Sequence, residues 1–272
     1  MKSSEPLRWL SSVREPPSCA WFFTLTNEGG PYLAVAREAD GYRVRVHGVA
    51  DYLVQPTSLA VEPFVDAAAE SVEVAFELDV KPILHQLDGH PALHASAVAN
   101  EAGAVAFSGP SGVGKSTLAA LLSKRAGYRL LADDSVPLDR QGNQFIAMPT
   151  ASAVRLRRGS AQQLGETAHM QFEKYVARRK AAESGCPLRA IYSLWLADAV
   201  RIDPMSPREA MAFVASHLQR IDPDNAELLR REFEHVDAVV RHVVVAHLSY
   251  PRDFESTAVA EAIEEHARAS LR

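Results

Sequence analysis

Cysteine is nearly absent from the 272-residue chain, which holds only Cys19 and Cys186. Two thiols cannot build a disulfide framework or a four-ligand zinc site, and they fit free thiols in a reducing compartment. Excess positive charge is missing too: 29 Lys and Arg stand against 34 Asp and Glu, a formal net charge of −5. A chain that grips duplex nucleic acid over a broad phosphate footprint is usually basic, so that class is set aside. Long apolar runs are lacking. Stretches such as Ala20–Phe23 and Val243–Ala246 fall far short of the ~20 residues a membrane helix needs. The first 17 residues carry three prolines and two acidic residues around no apolar core, unlike a signal peptide. Neither nucleic acid nor membrane is an expected partner, and the expected location is the cytoplasm. No repeat, low-complexity tract or long linker is visible.

What is present reads as globular, with 47% hydrophobic and 23% charged residues. Trp21–Thr26, Tyr32–Ala36 and Tyr42–Val46 are aromatic and branched runs separated by turn compositions, which predicts a small sheet. Ile83, Leu84 and Leu87 have helical spacing after Pro82. From Leu93 onward strands and helices alternate. Strands are expected at Leu93–Ala99, Ala104–Phe107, Tyr128–Ala132 and Ile191–Leu196. Helices are expected at Leu118–Leu122, Pro207–Leu218, Ala226–Glu234 and Ser256–Ser270, with a β run over Val239–Leu248. This predicts an α/β fold, with a β-rich accessory portion over 1–88 and a core over 89–272.

The sharpest motif is Gly109-Pro110-Ser111-Gly112-Val113-Gly114-Lys115-Ser116-Thr117, which satisfies G-x-x-x-x-G-K-S/T between an apolar strand and a helical run. Glycines let the backbone wrap phosphate oxygens, with successive N–H groups pointing inward at a helix N-terminus. Lys115 brings a compact charge to the β/γ-phosphates, and the Ser116 hydroxyl suits Mg²⁺. The remaining expected nucleotide contacts are Gly109, Ser111, Gly112, Val113, Gly114 and Thr117.

A second motif, Leu130-Leu131-Ala132-Asp133-Asp134, ends a strand in paired carboxylates. A right-handed strand–helix–strand crossover puts parallel strand ends on one sheet edge, so the pair emerges beside the loop. One carboxylate can serve Mg²⁺ and the other an attacking hydroxyl; a solvated Asp-Asp turn or helix cap is the plainer alternative. If Leu93–Ala99 and Ala104–Phe107 form a hairpin, Ala99 faces Ala104 and His94 falls opposite Gly109. That register makes His94 a partner for a catalytic carboxylate. His85, His90 and His94 are spaced across Gly89 and Pro91, off any common helix face, which argues against zinc.

The segments LHASAV, FSGPSGVGKSTLAALL and RLLADD resemble the C-terminal catalytic domain of HPr kinase/phosphorylase and its relatives, whose nucleotide-binding core is similar to that of phosphoenolpyruvate carboxykinase. The specific match runs from His94 to about Asp134. A looser likeness continues through VRLRRGSAQQLG, PLRAIYSLWL and VAHLSYPRDF. It resembles HPr-kinase-like proteins of bacterial peptide-modification clusters, including kinases of a serine in lasso-peptide precursors. The resemblance implies a P-loop core, ATP and Mg²⁺ as cofactors, Lys115 as phosphate lysine and Ser116 as a metal ligand. It further implies Asp133 as general base supported by His94, and Asp134 as the metal-side carboxylate. The E-x-R-G-x-G signature of the HPr enzyme is not legible here.

Two basic clusters accompany the motifs: Arg155, Arg157 and Arg158, and Lys174, Arg178 and Arg179. They read as solvated helix faces or as contacts to phosphate or an acidic peptide. The expected function is a Mg²⁺–ATP-dependent kinase acting on a hydroxyl, foremost a serine of a peptide or protein. A small-molecule kinase on the same core and a nucleotide-gated binding or assembly module are the alternatives. The missing L-S-G-G-Q-type signature speaks against a transport ATPase, and a homo-oligomer is compatible with the sequence.

Overall fold

The computed structural model describes residues 7–27, 29–166, 170–171, 174–221, 226–251 and 256–270. The chain divides into two compact units, Met1–Gly89 with Arg220–Asn225, and His90–Gln219 with Ala226–Arg272.

The first unit is built on one sheet. Its strands are β1 (Arg8–Trp9), β2 (Trp21–Asn27), β3 (Gly30–Glu38), β4 (Gly41–Val46), β5 (Ala50–Gln55) and β6 (Ser58–Pro63), in the order β1-β6-β5-β4-β3-β2. Neighbours from β2 to β6 are antiparallel. The sequence predicts β2, β3 and β4 but not the rest. The turn into β4 needs glycine: Gly41 has φ +151°, and a Cβ there would lie 2.0 Å from the Val54 carbonyl oxygen. Helix α1 (Ala69–Ala75), a π-helical segment (Phe76–Val80) and α2 (Lys81–Leu87) follow, with Pro82 in the first turn of α2. The Tyr52 hydroxyl, on β5, donates to the Val72 carbonyl of α1 at 2.7 Å.

Period-two alternation puts Val44, Val46, Tyr52 and Val54 on one face of β4 and β5, and Arg43, Arg45 and Asp51 on the other. Asp51 is 1% exposed. It accepts from Arg43 at 2.9 Å and from Arg45 at 2.7 Å through each of two nitrogens. Glu38 and Glu62 complete the ring around Arg43. Removing the central carboxylate would leave two buried guanidiniums short of a partner, which typically costs about 3–5 kcal/mol. Asp51→Ala is therefore expected to lower unfolding stability by roughly that amount in urea titration.

The second unit is a mixed α/β structure. Its early elements are β7 (Ala92–Leu93), β8 (Ala95–Asn100), β9 (Gly103–Ser108), α3 (Lys115–Leu122), β10 (Arg129–Ala132), β11 (Val136–Gln141) and β12 (Gln144–Ala147). Next come β13 (Ala153–Leu156), α4 (Arg158–Leu164), β14 (Met170–Gln171), β15 (Lys174–Arg178) and β16 (Cys186–Leu196). Last are β17 (Arg201–Pro204), α5 (Pro207–Ser216), β18 (Leu218–Gln219), α6 (Ala226–His242), β19 (Val244–Tyr250) and α7 (Ser256–Ser270).

Ten strands form the main sheet. Along it β10, β8, β9 and β16 are neighbours; β19 and then β17 continue on one path from β16, and β12, β11, β7 and β18 on the other. β9, β16 and β19 run parallel. β8 is antiparallel to both β9 and β10, so β9 and β10 point the same way with β8 between them. The crossover through α3 thus brings the ends of β9 and β10 to one edge, as the sequence predicts, with one strand interposed. The hairpin register is also the predicted one, with Ala99 against Ala104 and Ala95 against Ser108.

Two readings are corrected. The β run expected over Val239–Leu248 begins as helix: α6 continues to His242, and the strand starts at Val244. Val236 and Val239, three apart on α6, are buried, as is Val243 just past its end, so the branched residues serve a helix face first. The basic clusters do not lie on helix faces alone. Arg155 is on β13, and Lys174 and Arg178 on β15, in a three-stranded sheet of order β13-β15-β14.

Candidate active site

The loop Gly109–Gly114 leaves the carboxyl end of β9 and enters α3 through Gly114, which is left-handed at φ +114°. Among the described residues no side chain caps the helix, which leaves its first N–H groups without intrahelical partners. A Cβ on Gly114 would meet the Tyr250 hydroxyl oxygen at 2.8 Å. That hydroxyl, at the end of β19, donates to the Val113 carbonyl at 3.0 Å and fixes the back of the loop. Burial pushes the Tyr250 phenol up to about 12, keeping it protonated and donating.

Lys115 is buried, and its ammonium donates to the carbonyls of Gly109 at 2.9 Å and Pro110 at 3.3 Å. Burial lowers its affinity for the proton and nearby Lys174 adds to this, while Asp134 and Asp133 oppose both. The loop is tied sideways as well. The Thr117 hydroxyl donates to Ser160 of α4 at 2.9 Å, and Lys124 donates to the Leu164 carbonyl at 2.9 Å.

The two carboxylates have opposite surroundings. In β10 the pairing slips between Leu130 and Ala132, a bulge that turns the strand end toward β8. Asp133 is then 3% exposed. It accepts from the Ser96 hydroxyl at 2.6 Å and from the Arg155 backbone N–H at 3.0 Å. Burial raises its pKa, and the Asp134 charge adds to the rise. Hydrogen bonds from Ser96, the Arg155 N–H and Ser116 act against it. Asp134 follows in a left-handed conformation, φ +67°, uncommon outside glycine but tolerated by aspartate. Its side chain is 60% exposed. Its carbonyl accepts from Gln219 at 3.0 Å and from His94 Nδ1 at 3.1 Å. A carbonyl can only accept, so His94 Nδ1 carries the proton; the same nitrogen lies 3.5 Å from Asp134 Oδ1.

One expectation is thereby corrected: the resemblance pairs His94 with Asp133, and the structure pairs it with Asp134. Both aspartates lie just past the end of β10, where the backbone leaves the extended conformation and Asp134 is left-handed, and their side chains have different surroundings. The buried one turns to Ser96 and the Arg155 N–H, and the exposed one to His94.

A polar cavity of about 150 Å³ gathers His94, Ser111, Gly112, Gly114, Lys115, Ser116, Thr117 and Asp134. Arg155, Arg157 and Lys174 line it too. Gly109 and Val113 act from behind, through carbonyls that hold Lys115 and accept from Tyr250. Sequence reasoning missed Ser96, Tyr250, Ser160 and Gln219. Ser96 had a signal, being two residues after His94 and therefore on the same face of an extended strand; Tyr250 had none. Among the described residues no helix is long and apolar enough to cross a membrane.

No protein-family model matches the chain. No curated protein matches it either. Among solved structures it is similar to the HPr(Ser) kinase/phosphatase from Coxiella burnetii, at 15% identity and a TM-score of 0.36. That likeness, which covers 66% of this chain and 99% of the other, is one of fold alone.

Proposed function

We propose that the protein is a Mg²⁺–ATP-dependent phosphotransferase that moves the γ-phosphoryl group to a hydroxyl, foremost a serine of a peptide or protein. One observation carries this reading: at a single sheet edge, Lys115, Ser116 and the His94–Asp134 pair line one polar hollow, with the buried Asp133 carboxylate next to Asp134 in the chain. The 109–116 segment acts as a P-loop, its N–H groups and Lys115 cradling the β/γ-phosphates.

Ser116, which lines the hollow, and the buried Asp133 offer hard oxygen donors, the donor type magnesium prefers, and they would hold the ion. When bound, the ion neutralises charge on the phosphate oxygens. Asp134 is the base. It takes the proton of the acceptor hydroxyl as that oxygen bonds to the γ-phosphorus; the bond to the β–γ bridging oxygen breaks, and ADP leaves. His94 is a positioning residue that holds Asp134 through carbonyl and carboxylate together. This assignment reverses the one implied by the resemblance, and it follows the burial of Asp133.

The exposure of Asp134 supports an acceptor that arrives from outside, as a peptide or protein hydroxyl must. Trp195 and Leu196, at the carboxyl end of β16, are 54% and 42% exposed and offer apolar surface on the same edge. The test is incubation with γ-labelled Mg²⁺–ATP and a degenerate serine-containing peptide library. Label is expected as phosphoserine, dependent on Mg²⁺. Label confined to small alcohols would favour a small-molecule kinase, and nucleotide binding without any transfer would favour a binding module.

A further inference from the structure

We propose that Arg157, seconded by Lys174, reads the terminal phosphate of the bound nucleotide and makes the site select triphosphate over diphosphate. The inference rests on the phosphotransferase reading and deepens it.

Arg157 stands between β13 and α4, at the position that caps α4. Its guanidinium lies over the apex of the glycine loop. One terminal nitrogen is 3.4 Å from the Ser111 hydroxyl, and the other is 3.4 Å from where a Gly112 Cβ would stand. Among the described residues that hydroxyl is its only polar side-chain contact, and no carboxylate neutralises it. Gly112 leaves the space open: its φ is +83°, and any side chain there would press on the guanidinium.

Charge points the same way. Three cations, Lys115, Arg157 and Lys174, line a hollow to which, among the described residues, Asp134 is the one lining carboxylate. Like charges held together are unfavourable until an anion arrives. Lys115 sits at the inner end of the loop, whereas Arg157 covers its outer bend at Ser111–Gly112. A cation at each end suits an extended polyphosphate. The planar fork of arginine matches a terminal phosphate with two parallel bonds, which an ammonium cannot do.

The arm is also held in register with the loop. The Arg155 N–H is bonded to Asp133, Ser160 to Thr117, and Glu166 pairs with Lys124 at 3.2 Å and Arg179 at 3.0 Å. The backbone that carries Arg157 is thus tied to the loop on both sides in the chain.

The experiment is calorimetric titration with Mg²⁺–ADP, Mg²⁺–ATP and the non-hydrolysable β,γ-imido triphosphate. It compares the unaltered protein with Arg157→Ala, Arg157→Lys, Lys174→Ala and Lys115→Ala. Arg157→Ala is expected to lower triphosphate affinity about 10–100-fold, the size of a lost charge-assisted hydrogen bond, and to leave ADP affinity unchanged. Arg157→Lys should fall between, and Lys174→Ala should show a smaller loss of the same selectivity. Should Arg157→Ala fail a thermal-melting check, Arg157→Lys and Lys174→Ala decide. Equal losses for ADP and triphosphate, or no loss, would overturn the inference. If Lys115→Ala removed binding of every nucleotide while Arg157→Ala changed none, the phosphotransferase reading would stand and this inference would fall. Absence of any nucleotide binding by the unaltered protein would remove both.

Discussion

Lys115→Ala is expected to reduce Mg²⁺–ATP affinity by at least ~100-fold, the equivalent of two charge-assisted hydrogen bonds, and to leave no measurable transfer. The size of the effect follows from where the ammonium sits. It is buried at the mouth of α3 and held by two loop carbonyls, close to the uncapped helix N-terminus. In that position a phosphate exchanges for the carbonyls without the lysine moving far, so little entropy opposes binding. Burial already disfavours the charged form, which means the ammonium gains from an anionic partner. The variant should fold normally, because removing a partly desolvated charge relieves the burial cost. Unchanged calorimetric affinity in a folded Lys115→Ala protein would refute the placement of the nucleotide.

The local geometry of the loop and the hairpin beside it was legible in the residues. The glycine–lysine–serine run carries its own local geometry, since a loop with left-handed glycines at 109, 112 and 114 has few ways to enter a helix. The hairpin register was legible because Asn100 to Gly103 leaves one plausible turn, and the pairing then counts back to His94. What could not be read was long-range. Tyr250 reaches Val113 across 137 residues, and Ser160 reaches Thr117 across 43. No local pattern announces either contact.

The partition of the two aspartates was hidden for a related reason. Their order in the chain says only that they diverge; the bulge at Leu131 and the Ser96 hydroxyl decide which turns inward. The fold shows the same split. Ser256–Ser270 was readable as a helix from its ends and periodicity. The run from Val239 was not, because branched residues at three- and four-residue spacing satisfy both a helix face and a strand. The strand that carries Lys174 and Arg178 was not legible because KYVAR is too short for its alternation to stand out.

Asp134→Asn is expected to lower the transfer rate by about 10²–10⁴-fold, the usual cost of losing a general base, with nucleotide affinity nearly intact. The amide keeps the shape and the contact with His94 but cannot take a proton. Asp133→Asn should behave differently. Its carboxylate is buried and accepts from Ser96 and the Arg155 N–H, out of reach of an incoming hydroxyl. Losing its charge should raise the Mg²⁺ concentration needed for half-maximal rate and leave the rate at saturating Mg²⁺ far less affected. His94→Ala should act as a milder Asp134 defect, since it positions the carboxylate and carries no proton to or from the acceptor.

The most direct test is the single-turnover rate of γ-phosphoryl transfer by Asp134→Asn at saturating Mg²⁺–ATP, with Asp133→Asn measured beside it. The rate should fall by about two to four orders of magnitude in Asp134→Asn while ATP binds as before. A rate near that of the unaltered protein in Asp134→Asn, with the collapse appearing in Asp133→Asn at every Mg²⁺ concentration, would contradict the account.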